Sequence, residues 1–380
     1  MTVAWYDRSH PNDQTGSNRR FRRVIVKAIR FYGQHDVRLD EIDGDLDPGS
    51  GEVLIAPTLI GICGTDLHEF ESGPIFIPRT PHPYGGAQLP QIIGHEFSAK
   101  VVRCGPGVVG LREGQRVSIQ PQLGAKNDYF GSRDLCFLGK QSAVVGLTWK
   151  WGGMAERAIV PDYCCIPMPD DVTDVQGAMV EPTACAVHAI DRASVRPGSS
   201  VLITGAGSIG ALATMAAKAA GATRIIVSEV NPNRRRRIEQ LAIATAVLDP
   251  RSPDFGETVR SFTQEGVGVD AAIECSGNRA AFQNCLDQLR PQGIMVQVGL
   301  SGEPFTINTF DLTMRDITLR GSLNYELSMW PRIFEMMRSG LLPAEKLMDD
   351  IIPMKDIVEG GFNRLTDPEG ASMKILVGVD

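Results

Sequence analysis

Two residues suited to zinc sit in separate, dense motifs of this chain. Cys63 lies in Gly61-Ile62-Cys63-Gly64-Thr65-Asp66-Leu67-His68, and His95 lies in Gly94-His95-Glu96. A thiolate and an imidazole with no further sulfur close by fit a catalytic Zn²⁺, which leaves one position to water or substrate. A structural zinc site would show close-set ligand pairs instead. A third ligand is required, and Glu96, Glu181 and Cys185 are the candidates. Glu96 adjoins His95 and is expected to point away from it, in a supporting or alternating role. Glu181 precedes Pro182, a residue suited to a helix's first turn, and is placed at a junction between two domains. Cys185 is the softer donor one turn on, but a small buried thiol is equally natural there.

The second chemical motif is Thr204-Gly205-Ala206-Gly207-Ser208-Ile209-Gly210. It follows the apolar run Val201-Leu202-Ile203 and precedes a helix-like, alanine-rich stretch, which is the context a dinucleotide site needs. Gly205 permits the tight turn, Gly207 lets backbone approach a pyrophosphate, and Gly210 lets the helix pack on the strand. Ser208 and Ile209 complete the expected loop contacts, with Cys275 and Val298 near the ends of two later strands. Glu229 follows the second strand and is expected to accept from both adenosine ribose hydroxyls. A carboxylate there repels a 2′-phosphate and favours NAD over NADP. Arg234, in the run Arg234 to Arg237, is expected within reach of the adenosine end. A zinc that polarises an alcohol oxygen and a nicotinamide that takes its hydride together predict an alcohol dehydrogenase.

These residues need two kinds of scaffold. From Val24 to about Val180, short β-runs alternate with Gly and Pro: Val24–Ile29, Glu52–Leu59, Ser98–Arg103, Arg116–Gln120 and Ala155–Val160. That pattern predicts a β-rich barrel or sandwich. Beyond Pro182 strands and helices alternate: strands Ser200–Thr204, Arg224–Ser228, Ala271–Glu274 and Ile294–Val298, with helices Ser208–Ala220, Asn233–Leu241 and near Arg279–Leu289. Such βαβ alternation predicts a doubly wound parallel sheet. Residues 303–319 return to β texture, with Ile317–Leu319 expected as the last strand, and Met373–Val377 is a strand that can rejoin the first domain. The expected division is a polar extension at 1–22, a catalytic domain at 23–182 completed by about 341–380, and a nucleotide-binding domain at 183–340.

A net charge of -7 argues against nucleic-acid or anionic-membrane partners. Eight cysteines without any C-x-x-C pair fit reduced thiols in the cytoplasm better than a disulfide framework. No apolar run reaches the length of a membrane helix, and the polar N-terminus is not expected to be a signal peptide.

The chain resembles the zinc-dependent medium-chain alcohol dehydrogenases, and within them the 2,3-butanediol and polyol (sorbitol) dehydrogenases. The resemblance rests on Cys63-Gly64-Thr65-Asp66-Leu67-His68-Glu69, Gly73-Pro74-Ile75-Phe76-Ile77-Pro78, His82-Pro83 and Gly94-His95-Glu96-Phe97. It continues through Val180-Glu181-Pro182, Ala186-Val187-His188-Ala189, the glycine loop and Glu274-Cys275-Ser276-Gly277, so it covers nearly everything from Lys27 onward. It implies a GroES-like β-rich catalytic domain beside a Rossmann domain, and Glu181 as the third zinc ligand after Cys63 and His95. It also implies a proton relay, in which Thr65 passes a proton through the cofactor ribose to His68. Without the family, Thr65 is as well read as a turn residue and His68 as a surface imidazole.

Two departures stand out. Relatives hold a second, structural zinc through four cysteines where this chain has only Cys136, with Gln122, Gly124 and Asn127 nearby. One thiolate cannot hold such an ion, so one zinc per chain is expected. Trp149 and Trp151 stand where relatives have small residues, and either pack the lobe or shape the substrate pocket. The expected substrate is a secondary alcohol or vicinal diol, such as 2,3-butanediol with acetoin as product. A Cys/His/Glu site is harder than Cys₂His and accepts a second oxygen more readily. The alternatives are a dehydrogenase of another polyol, an amino alcohol or a bulkier biosynthetic alcohol. A zinc-free quinone or enoyl reductase is disfavoured by Cys63, His95 and Glu181 together, and a non-catalytic NAD-binding protein by the complete motif set. An exposed edge strand within 303–319 predicts a homodimer, or a tetramer of such dimers.

Overall fold

Six parallel strands form the sheet of the chain's second half, in the spatial order Ala246–Leu248, Arg224–Ser228, Ser200–Thr204, Val269–Glu274, Leu289–Gln297, Thr318–Gly321. The computed structural model describes residues 24–379; the polar extension expected at 1–22 lies outside them. The order runs outward from Ser200–Thr204 in one direction and from Val269–Glu274 in the other. A crevice for ligand therefore lies at the carboxyl ends of those two strands. Every residue of Ser200–Thr204 is buried, as a strand covered on both faces requires, which explains its uninterrupted apolar character. Helix Ser208–Ala219 packs its alanines on this sheet without side-chain bulk to hold the two apart.

The largest sheet, of seven strands, is mixed and built from distant parts of the chain. Glu52–Gly61 pairs antiparallel with Glu96–Cys104 on one side and with Lys374–Gly378 on the other. Met348–Pro353 lies outside Lys374–Gly378, and Arg116–Ile119 lies outside Glu96–Cys104. The last strand thus returns to the sheet begun by residue 52.

Helix Asp174–Arg192 runs through the junction expected at 182/183. Its start is fixed by a capping box: Thr173 Oγ1 accepts from Gln176 N at 3.2 Å, and Thr173 N donates to Gln176 Oε1 at 3.0 Å. Pro182 therefore sits mid-helix rather than in the first turn, a correction to the expectation drawn from Pro182. The residue forfeits its own N–H bond only, while the next hydroxyl, Thr183, donates to Met179 O at 2.6 Å.

One further expectation is corrected. The stretch 303–319 is not β throughout: it holds the helix Thr309–Met314, capped by Asn308, while the strand expected at Ile317–Leu319 is found at Thr318–Gly321. Of the two readings open for Trp149 and Trp151, the contacts support packing of the lobe. Trp149 donates from Nε1 to Ile159 O at 3.0 Å, and Trp151 lies against Ala28, Ile92 and Ala155. Among the described residues no helix is long and apolar enough to cross a membrane.

Candidate metal centre and cofactor edge

Cys63 precedes helix Gly64–Ser72 as its N-cap, with its backbone N–H donating to Asp66 Oδ2 at 3.0 Å. The cap turns the thiol out of the helix start and holds Sγ 3.7 Å from Thr65 Oγ1. His95 follows Gly94, whose φ of +93 breaks the backbone out of strand geometry just before Glu96–Cys104 begins. Alternation along a strand therefore does not apply to His95 and Glu96, and the expectation that Glu96 points away from His95 is corrected. One donor atom each from Cys63, His95 and Glu96 lies within 4.8 Å of the others.

Glu96 owes this placement to Lys374, on the last strand. The Lys374 ammonium is fully buried, is paired with Glu96 Oε2, and donates to Ile62 O at 2.9 Å. A Cβ at Gly61 would collide with both Glu96 and Lys374, so the glycine makes room for the ion pair. Glu181, the expected third ligand, is buried but does not complete that triplet. Its Oε1 accepts the hydroxyl of Tyr325 at 2.8 Å and lies 3.9 Å from Cys185 Sγ.

The electrostatics of this pocket are strongly coupled. Burial pushes Glu181 up, Glu96 adds to the push, and His95 and the Tyr325 hydroxyl oppose it. His95 is held well above the usual imidazole value: burial works against its charge, but Cys63, Asp66 and Glu181 outweigh burial. Burial, with Glu96, raises Cys63, and burial raises Asp66 against the pull of His95. His95 Nδ1 and Asp66 Oδ1 stand 3.9 Å apart, both buried and without hydrogen-bond partners. A sulfur, a ring nitrogen and hard carboxylate oxygens, with orphaned polar atoms beside them, fit a zinc ion. Thr65 is half-buried beside the thiol, and His68 is exposed one turn further along the same helix.

At the parallel sheet, Gly205 adopts φ +86, and its N–H donates to Ser228 O at 2.8 Å. Gly207 caps helix Ser208–Ala219 without a side-chain acceptor, and open space surrounds the point where its Cβ would stand. Ser208 Oγ is buried and unpartnered. Uncapped N–H groups, a free hydroxyl and a missing Cβ together fit a pyrophosphate. Gly210 lies against Gly205 O, while Ile209 is half-buried in the first turn. Cys275 N donates to Thr204 O at 2.9 Å and Val298 N to Glu274 O at 2.8 Å, which sets both residues beside the loop.

Glu229 is also internally engaged. Oε2 accepts from Ala206 N at 2.6 Å and Oε1 from Asn231 N at 2.7 Å, so the carboxylate braces the glycine loop and keeps spare lone pairs. Arg234 does not face it: its guanidinium meets Leu365 O at 3.3 Å. The helical turn brings Arg235 back instead, onto Glu229 O at 2.7 Å. Of the four arginines, Arg235 is thus the one bonded to the Glu229 backbone.

Sequence reasoning missed Lys374, Tyr325 and Asp66. Asp66 carried a signal, three residues after an N-cap. Lys374 carried a weaker one, a lone charge in Met373-Lys374-Ile375-Leu376-Val377. Tyr325 carried none.

Residues 49–170 match the family model described as alcohol dehydrogenase GroES-like domain, and residues 208–339 match that described as zinc-binding dehydrogenase. The chain is 33% identical to (R,R)-butanediol dehydrogenase of Bacillus subtilis, over 93% of this chain and 99% of that one. A crystal structure of 2R,3R-butanediol dehydrogenase from Bacillus subtilis superposes with a TM-score of 0.85 at 32% identity, covering 93% of this chain and all of that one. Human sorbitol dehydrogenase is 29% identical over 93% of this chain and 96% of its own length. A Sinorhizobium meliloti structure bound to NADP gives a TM-score of 0.82 at 28% identity, covering 94% and 100% of the two chains.

Proposed function

The chain belongs to the zinc-dependent medium-chain alcohol dehydrogenases, an oxidoreductase family, and from that premise we propose that it interconverts a secondary alcohol or vicinal diol and the matching ketone with NAD. The observation that carries the reading is the convergence of Cys63, His95 and Glu96 beside the buried Glu181, in a chain whose other sheet presents an open glycine loop. When bound, zinc supplies Lewis acidity toward the substrate oxygen and the nicotinamide accepts the hydride.

The chain's own residues supply the rest. Cys63, His95 and Glu181 hold the metal. Glu181 is the carboxylate whose one strong hydrogen bond is to a neutral hydroxyl, that of Tyr325, whereas Glu96 is paired directly with the full counter-charge of Lys374. Asp66 faces His95 and orients its ring. Thr65 takes the alcohol proton near Cys63, and His68, exposed to water, delivers it to solvent. Glu229 favours NAD, since a 2′-phosphate would meet a buried carboxylate. The butanediol and sorbitol dehydrogenases among its relatives support a substrate with neighbouring oxygens. One zinc per chain is expected, because Cys136 is the only cysteine of the stretch 120–136. Free thiols support a cytoplasmic protein, and the exposed edge strand Thr318–Gly321, flanked by exposed Phe310 and Met314, supports pairing of two copies.

Elemental analysis joined to a substrate panel tests this. The expected result is one zinc per chain, a higher kcat/KM for 2,3-butanediol than for 2-butanol with NAD⁺, and loss of both metal and turnover in Cys63→Ser with the fold retained. Two zinc ions per chain would sink the reading of the Cys136 lobe. Equal efficiency on the two alcohols would sink the diol preference.

A further inference from the structure

We infer that Glu274 is a positioning residue for the nicotinamide end of the cofactor, acting through the two backbone segments that adjoin it. The inference rests on the dinucleotide reading of this sheet edge. Glu274 is fully buried at the end of Val269–Glu274, and all five of its side-chain donors are neutral. Oε1 accepts from Ser276 N at 2.8 Å, from Ser276 Oγ and from Thr204 Oγ1 at 3.5 Å. Oε2 accepts from Gly277 N at 2.9 Å and from Gln297 Nε2 at 2.6 Å. The Glu274 carbonyl takes Val298 N at 2.8 Å and Gly299 N at 2.9 Å.

One residue thereby ties together the end of the strand before the glycine loop, the turn 275–277 and the segment 297–299. The turn is packed onto the loop: a Cβ at Gly205 would stand 3.1 Å from Ser276 Cβ, and one at Gly210 would stand 3.6 Å from Cys275 Cβ. Two glycines keep the knot closed, Gly277 with φ +68 and Gly299, where a Cβ would press on Glu274 Oε2 at 2.6 Å. Glu274 stands on the opposite side of Ser200–Thr204 from Arg224–Ser228, the strand that carries Glu229 to the adenosine side. The two carboxylates divide the cofactor between them.

An amide in place of Glu274 keeps the shape but turns an N–H₂ group toward donors. That leaves buried donors unpaired and lets the turn and the 297–299 segment separate. Glu274→Gln should weaken NADH binding, followed by nucleotide fluorescence, about tenfold or more. Binding of 5′-AMP, followed by calorimetry, should stay within about twofold, and zinc content should not change. Glu274→Asp, which restores the charge on a shorter stem, should recover part of the NADH affinity. If Glu274→Gln does not fold, Gln297→Met removes one donor while leaving the carboxylate, and should still weaken NADH more than 5′-AMP. Parallel weakening of NADH and 5′-AMP would overturn the inference, as would unchanged NADH binding. Wild-type protein that bound no NADH would overturn the dinucleotide reading first, and this inference with it.

Discussion

Glu96 and Glu274 are both buried carboxylates at strand ends, yet the two halves of the molecule neutralise them in opposite ways. On the metal side Glu96 meets a full charge, Lys374, brought from 278 residues away. On the cofactor side Glu274 meets five neutral donors, four of them within 23 residues in sequence. A buried ion pair is held by two mutually dependent desolvated charges, and removal of either strands the other. A carboxylate held by several dipoles loses its grip gradually as donors are removed. The metal side is therefore the brittle half, and the cofactor side the half where specificity can be tuned in small steps.

The contrast breaks most sharply at Lys374. Lys374→Met should leave Glu96 buried and unpaired, lowering stability by about 3–5 kcal/mol in urea unfolding. The pair of changes Lys374→Met and Glu96→Gln should restore much of it, and a double variant as unstable as the single one would mean that the pair is not the cause. At the cofactor side, Glu229→Ser should move the ratio of kcat/KM for NAD⁺ over NADP⁺ by about tenfold, equivalent to about 1.4 kcal/mol. Both cofactors should also lose some affinity, since Ala206 N loses its acceptor. An unchanged ratio would assign the preference to Arg235 and its neighbours. The smallest effect is expected at Asp270. Burial works against its charge, but the Ser200 N–H and Arg290 outweigh burial and hold it below the usual carboxylate range. A depressed carboxylate stabilises the fold above its unfolded value of about 4, and the contribution is lost as pH falls through the folded value. Asp270→Asn should lower Tm slightly at pH 7, and the gap should close toward pH 3; a gap that widened on acidification would reverse the assigned sign.

The same division governs what the sequence discloses. Strands Ser200–Thr204 and Arg224–Ser228 are legible with their bounds, because burial on both faces leaves an apolar run at the centre of each, and the glycine loop directly follows the first. Cys63 and His95 are legible because each motif is local. Their neighbours are not: Tyr325 reaches Glu181 across 144 residues, and no local pattern marks it. Pro182 misdirects, since a helix already started by Thr173 carries it through. Which of the four arginines meets the Glu229 backbone is set by cap geometry and not by proximity in sequence.

The Lys374–Glu96 pair also imposes an order on synthesis. The ribosome releases Cys63, His95 and Glu96 early, but Glu96 has no counter-charge until Lys374 emerges 278 residues later. The strands of the parallel sheet, between residues 200 and 321, pair only with one another and have all been made before Lys374 emerges. The part of the chain made first is thus completed last.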